Sequence, residues 1–150
     1  MENNIEKIKK LREETNMSVM ECRNALLESG EDFEKAREIL KAKGLEENLK
    51  RKERETKEGV IETYVHQNKK IGALVKLSCE SDFVAKNEEF QRLAHEIAMQ
   101  ISAMDPASVD DLLEQTYIRD PKIKIVDLIN EAINKFGENI KIEEFQRMKI

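Results

Sequence analysis

The period of the hydrophobic pattern changes in the middle of this chain, and that change constrains the fold more tightly than any other feature. Ile71, Ala73, Val75, Leu77 and Cys79 alternate as one face of a half-buried strand, whereas Phe90, Leu93, Ala94, Ile97, Ile101 and Met104 recur at helical spacing. Between them lies the run Cys79-Glu80-Ser81-Asp82-Phe83-Val84-Ala85-Lys86, so a strand must feed a helix through a connection that carries an aspartate and a phenylalanine. Connections are exposed and positioned by rigid neighbours, which is why function concentrates in them. Two readings stand at this point. Asp82 can cap the following helix with Phe83 folded onto the core as a staple, or both can face a partner.

Upstream, residues 4–44 read as three short helices. Ile5, Ile8 and Leu11 make an apolar stripe behind Asn3 and Glu6, which are placed as a capping pair. Ser18-Val19-Met20-Glu21 has the spacing of a capping box, with Met17 and Cys22 set as its hydrophobic staple. Gly30 stops that helix and Asp32 caps the next, whose stripe is Phe33, Ala36, Ile39 and Leu40; Gly44 is expected to end it. A bundle this small is marginal alone, so 1–44 is expected to be a recognition head on a larger body. Residues 45–57 mix charges of both signs, as in Lys50-Arg51-Lys52-Glu53-Arg54-Glu55, and read as a charged linker or solvated linker helix.

From Gly59 the period is two. Val60 to His66, the turn Gln67-Asn68-Lys69-Lys70 and Ile71 to Cys79 predict a hairpin. A long helix follows from about Asn87 to Met104, stopped by Asp105-Pro106, then a short piece around Val109 to Leu113 and a break at Asp120-Pro121. Ile125, Leu128, Ile129, Ala132, Ile133 and Phe136 form another helix closed by Gly137. Ile140 to Met148 reads as a last strand, in which the step from Ile142 to Phe145 slips the alternation by one and predicts a bulge or an edge. The fold class is therefore α+β: a three-helix head, a linker, and a β-β-α-α-β module over 58–150 with a three-stranded antiparallel sheet. Such a sheet has two edges to protect.

Charge and composition exclude several functions. A net charge of −5 argues against a general nucleic-acid binder, which gains affinity from counterion release on a basic surface. The two cysteines, Cys22 and Cys79, have neither metal-ligand nor disulfide-framework spacing and are expected to be buried free thiols. No apolar stretch reaches the length of a bilayer, and Met1-Glu2-Asn3-Asn4-Ile5-Glu6 resembles neither a secretory signal nor an arginine-rich transit segment, so a cytoplasmic location is expected. No phosphate loop, dinucleotide fingerprint or nucleophile elbow occurs. His66 in the hairpin and His95 on the helix have no metal-ligand companions. The chain reads as a binding protein without covalent chemistry, metal or cofactor.

The octet C-E-S-D-F-V-A-K, followed by N-E-E-F, resembles the signature C-x-T-D-F-V-A-[KR] of the elongation factor Ts family, with Ser81 in place of the usual threonine. A second match, L-R-E-E-T-N-M-S-V-M-E-C-R-N-A-L from Leu11 to Leu26, is similar to the family's L-R-x-x-T-G-A-G-x-M-[DE]-C-[KR]-x-A-L, with Asn16-Met17-Ser18 replacing Gly-Ala-Gly. K-E-G-V-I with Y-V-H-x-N-x-x-I-G, and Glu114-Gln115 with G-E-N-I-K-I-E-E-F from Gly137 to Phe145, complete a collinear set over nearly the whole chain. The family's E-Q-P-F becomes Glu114-Gln115-Thr116-Tyr117, and the helical segment before it is much reduced.

The resemblance implies a guanine-nucleotide exchange factor that binds elongation factor Tu, both GDP-bound and nucleotide-free, and promotes GDP release. By the same resemblance, Asp82 and Phe83 wedge near the magnesium and nucleotide site, while Ser81 and Val84 shape and brace the wedge. Arg12, Val19 and Met20 are the implied contacts of the helical head. For Val19 and Met20, packing inside the bundle is the alternative. A homodimer through the sheet modules is expected, because one three-stranded module leaves edges exposed. The head also resembles ubiquitin-associated-like modules, which makes a protein-binding adaptor without exchange activity the alternative function.

Overall fold

The computed structural model describes residues 3–150. Met1 and Glu2, the start of the segment read above for targeting signals, lie outside the described residues. Three helices open the chain: α1 (Asn4–Thr15), α2 (Val19–Glu28) and α3 (Phe33–Arg51). Their ends follow from local chemistry. The Asn3 side chain accepts from the Ile5 N–H, and Asn16 closes α1 in the left-handed conformation at φ 56°. Ser18 and Glu21 form the full reciprocal capping box of α2, and Asp32 accepts from the Lys35 N–H to start α3. Leu11, Met17, Cys22, Ala25, Leu26, Ala36 and Leu40 are the buried centre of this bundle.

Gly44 does not end the third helix. α3 runs on to Arg51 because Gly44 serves a close crossing: a Cβ there would stand 2.9 Å from Asn134 Nδ2 on α7 (Ile125–Phe136). The next turn of α3 continues the contact, with Asn48 buried and its amide 3.4 Å from Asn130 Oδ1. Most of the residues expected as a linker are thus helix, and only Lys52 to Lys57 leaves the helix before the sheet.

The sheet has the order β1-β2-β5, all antiparallel, from β1 (Glu58–Val65), β2 (Ile71–Cys79) and β5 (Lys141–Lys149). Lys76 pairs with Glu144 but Leu77 with Ile142, so Glu143 is an extra residue at a bulge, where the slip in alternation predicts one. Gly59 has φ 153°, and a Cβ there would lie 2.2 Å from the Leu77 carbonyl oxygen, so this position of β1 requires glycine. One face of the sheet, with Ala73, Val75, Leu77 and Ile142, packs on α5 (Glu88–Met104) through Phe90, Ala94, Ile97, Ala98 and Ile101. The other face carries Ile61, Val65, Leu74 and Met148, all exposed.

Between the two long helices of this layer, α6 (Val109–Glu114) is the short piece expected around Val109 to Leu113, and the chain adds an element the expectation lacked, a small two-stranded ribbon of β3 (Thr116–Tyr117) with β4 (Asp120–Lys124). A buried glutamine ties the ribbon down. Gln100 donates to the Thr116 carbonyl at 3.0 Å and accepts from the Ile118 N–H at 3.0 Å. The Tyr117 hydroxyl donates to Glu96 at 2.8 Å, and burial with that carboxylate pushes its pKa up to about 12. Among the described residues, no helix is long and apolar enough to cross a membrane.

Candidate functional site

A four-residue helix, α4 (Asp82–Ala85), joins β2 to α5. It begins at Ser81, whose hydroxyl accepts from the Val84 N–H at 3.4 Å. Two of its side chains turn inward: Val84 and Ala85 belong to the main core. With that pair buried, helical geometry sends the preceding pair outward. Phe83 is 85% exposed and Asp82 is exposed beside it, with Lys86 Nζ 3.3 Å from its carboxylate. The staple reading of Phe83 therefore fails, and the cap of the helix is Ser81 rather than Asp82. Leaving an aromatic ring in water forgoes about 1.5–3 kcal/mol of burial free energy, which a partner surface can recover.

Behind the exposed pair the support is polar and dense. Glu138 accepts from the N–H groups of Glu80 and Ser81 and from the Ser81 hydroxyl, while Glu80 accepts from the Asn139 N–H. The sequence motif G-E-N-I-K contains both partners, yet spacing alone assigns them no role; the signal was an acid and an amide directly after the glycine that closes α7. Cys79 is fully buried beneath, its thiol 3.2 Å from the Ser81 carbonyl. Burial, reinforced by the Glu138 charge, pushes that thiol pKa up to about 11. Cys22 is also buried and free, so neither thiol takes part in a disulfide.

The head presents a second apolar face. Arg12 and Val19 line one shallow groove with Ile5, Ile8 and Met17, and Lys135 of α7 borders it. Met20 is 72% exposed on the adjoining turn of α2 rather than in the groove, and Val19 is 51% exposed, so neither is interior packing of the bundle. Lys135 also pairs with Glu89 at the start of α5. One residue of α7 thus touches both the head groove and the helix that follows Phe83.

Other candidate groups are accounted for. His66 Nδ1 meets the Tyr64 hydroxyl at 3.0 Å, and His95 Nδ1 meets the Thr63 carbonyl at 3.0 Å. Arg51 pairs with Glu47 and Arg54 with Glu80, so the basic run after α3 is partly neutralised within the fold. Among the described residues, no cluster of His, Cys, Asp or Glu could hold a metal ion.

Comparison with known proteins agrees along the chain. The family model described as Elongation factor TS matches residues 80–150, beginning at the loop that carries Phe83. Elongation factor Ts of Fervidobacterium nodosum is 39% identical, with 100% of this chain and 99% of the relative aligned. The corresponding figures are 39%, 100% and 97% for elongation factor Ts of Thermotoga maritima, and 38%, 95% and 94% for that of Thermodesulfovibrio yellowstonii. The Fervidobacterium alignment runs over 195 positions against the 150 residues of this chain, so that relative carries inserted sequence that this chain lacks. With identity at this level over the full chain, and an exposed Asp82-Phe83 pair mounted on a buried Val84-Ala85 anchor, this protein belongs to the elongation factor Ts family of translation elongation factors.

Proposed function

We propose that this protein binds elongation factor Tu and accelerates GDP release, with Phe83 as the wedge. The observation that supports this reading is a ring 85% exposed on a helix whose other face is part of the core. A partner can accept such a ring with little loss of conformational freedom, because the ring has few rotatable bonds and its mount is already ordered. Asp82 stands beside it, and a carboxylate brought near a bound magnesium ion disturbs the shell that holds the ion. Ser81 caps the short helix and Val84 anchors it. Arg12, Val19 and Met20 supply a second docking face on the head.

Exchange requires no covalent step by this chain. The factor must bind the nucleotide-free partner more tightly than the GDP-bound one, and linkage then makes factor and nucleotide weaken each other's binding by the same factor. The working division is a docking head over 1–44, a connecting segment over 45–57 and a core with the wedge over 58–150. The outer sheet face, with Ile61, Val65, Leu74 and Met148 exposed, is the surface for a homodimer in the cytoplasm.

Release of a fluorescent GDP analogue from elongation factor Tu tests the reading. Phe83→Ala should slow stimulated release by at least about tenfold, because aromatic anchors carry much of an interface's free energy. Its melting temperature should stay within a degree or two of the parent, since an exposed ring contributes within roughly 0.5 kcal/mol to stability. A folded variant with undiminished exchange would remove the wedge assignment. Light scattering at micromolar concentration should give about twice the 17.5 kDa chain mass if the sheet faces pair.

A further inference from the structure

Glu138 and Asn139 follow α7 directly and reach across to the loop that launches Phe83. Glu138 Oε1 accepts from two backbone donors, the Glu80 N–H at 3.1 Å and the Ser81 N–H at 2.9 Å. Its Oε2 accepts from the Ser81 hydroxyl at 2.6 Å. The contact is reciprocal, since Glu80 Oε2 accepts from the Asn139 N–H at 2.6 Å. Each segment thus gives a carboxylate to the other's backbone, and hydrogen bonds to an ionised acceptor are shorter and stronger than neutral ones.

The clamp extends further. Asn139 is 1% exposed, and its amide donates to the Arg54 carbonyl at 2.8 Å and faces the Lys52 carbonyl at 3.4 Å. The Arg54 guanidinium returns to Glu80 at 3.7 Å. Residues leaving the last helix of the head and residues leading into the wedge are therefore held by one pair of side chains.

We propose that Glu138 is a positioning residue for nucleotide exchange: it holds Ser81, and through Ser81 the direction in which Phe83 leaves the surface. The proposal rests on the reading of Phe83 as the wedge. Ser81 makes the mechanism specific, because its one hydroxyl donates to Glu138 while accepting from the Val84 N–H. Loss of the carboxylate leaves the cap without its orienting partner and two backbone donors without an acceptor. Phe83 must then be ordered at each encounter with the partner instead of being ordered beforehand.

The test uses the full chain, GDP release from elongation factor Tu, and amide hydrogen exchange of the free protein. Glu138→Ala should slow stimulated release by about tenfold, as misplacement of an otherwise intact group does. Glu138→Gln keeps an oxygen for the two N–H groups and should recover release to within about threefold of the parent, since mainly the charge assistance is lost. In a Phe83→Ala background, Glu138→Ala should slow release no further, because both changes act through one ring. Amides of Glu80, Ser81 and Val84, whose donors meet Glu138 or the Ser81 hydroxyl, should exchange about tenfold faster in Glu138→Ala, while those of β2 keep their protection. Parental release by a folded Glu138→Ala, or losses that add in the double variant, would overturn the proposal. If Phe83→Ala alone releases GDP normally, the wedge reading fails and with it the role in exchange, while unchanged amide protection separately refutes the clamp. Should Glu138→Ala not fold, Glu138→Asp withdraws the carboxylate by one methylene, and a parental release rate there counts against the role.

Discussion

Phe83 and Met20 are both exposed apolar side chains on helices, but they stand on different foundations. Phe83 rises from a four-residue helix whose inner face is embedded in the main core and whose start is hydrogen-bonded to Glu138. Met20 sits on α2, in a bundle whose own buried cluster is seven residues, against nineteen in the main core. Buried apolar area supplies most of the stabilisation available to either region, so the head is the part that opens more readily. A side chain that must deform a partner needs the stiff mount. One that adds contact area can sit on the softer one.

Removing the foundation of Phe83 should have the largest effect. Phe90 is fully buried, edge-on to Phe136 at 6.3 Å between ring centres, and Phe90→Ala should cost about 3–5 kcal/mol in urea denaturation. A cost below about 1 kcal/mol would show that the core relaxes around the lost ring and is not the rigid support assumed. Next in size, Leu11→Ala in the head should cost about 2–4 kcal/mol, read by amide exchange as opening of α1 and α2 while the β1–β2 amides stay protected. Parallel loss of protection in the sheet would instead show that the α3–α7 contact at Gly44 and Asn48 makes one cooperative unit.

A pH titration sharpens the contrast from the chemical side. The Cys79 pKa stands raised in the folded protein, to about 11 against an ordinary thiol value of 9.0. The unfolded thiol ionises first, so this contribution is full below pH 9 and is lost as pH climbs from about 9 through about 11, to the extent of about 2–3 kcal/mol. Cys79→Ala should make that part of the stability curve shallower while leaving the share of Cys22, whose burial raises its thiol in the same direction, and the share that Tyr117 contributes at higher pH. An unchanged slope would mean the thiolate is tolerated beside Glu138. The smallest effect is expected at the head surface: Met20→Ala should weaken binding to elongation factor Tu by a few-fold, about 0.5–1 kcal/mol, without moving the melting temperature. A loss as large as that of Phe83→Ala would place the two sites on equal terms.

The amino-acid sequence determined by itself whatever depends on neighbours along the chain. Helix starts at Ser18 and Asp32, the left-handed stop at Gly137, and the bulge near Glu143 were legible because caps, turns and alternation act within a few residues. The motif around Asp82-Phe83 was legible too, but not whether the ring faced the core or the solvent. That was decided by the tertiary structure, since only packing of Val84 and Ala85 against the sheet sets the rotation of so short a helix. Gly44 read as a stop and proved to be a crossing, because the meaning of a missing Cβ depends on what lies opposite, here Asn134 from a helix ninety residues away in sequence. Glu138 shows the same limit. A surface-type acid after a helix has no visible partner in the sequence, and its three hydrogen bonds to residues 80 and 81 arise only when α7 returns the chain beside the end of β2. Contacts between segments distant in sequence are set by how whole layers pack, and no local pattern encodes them.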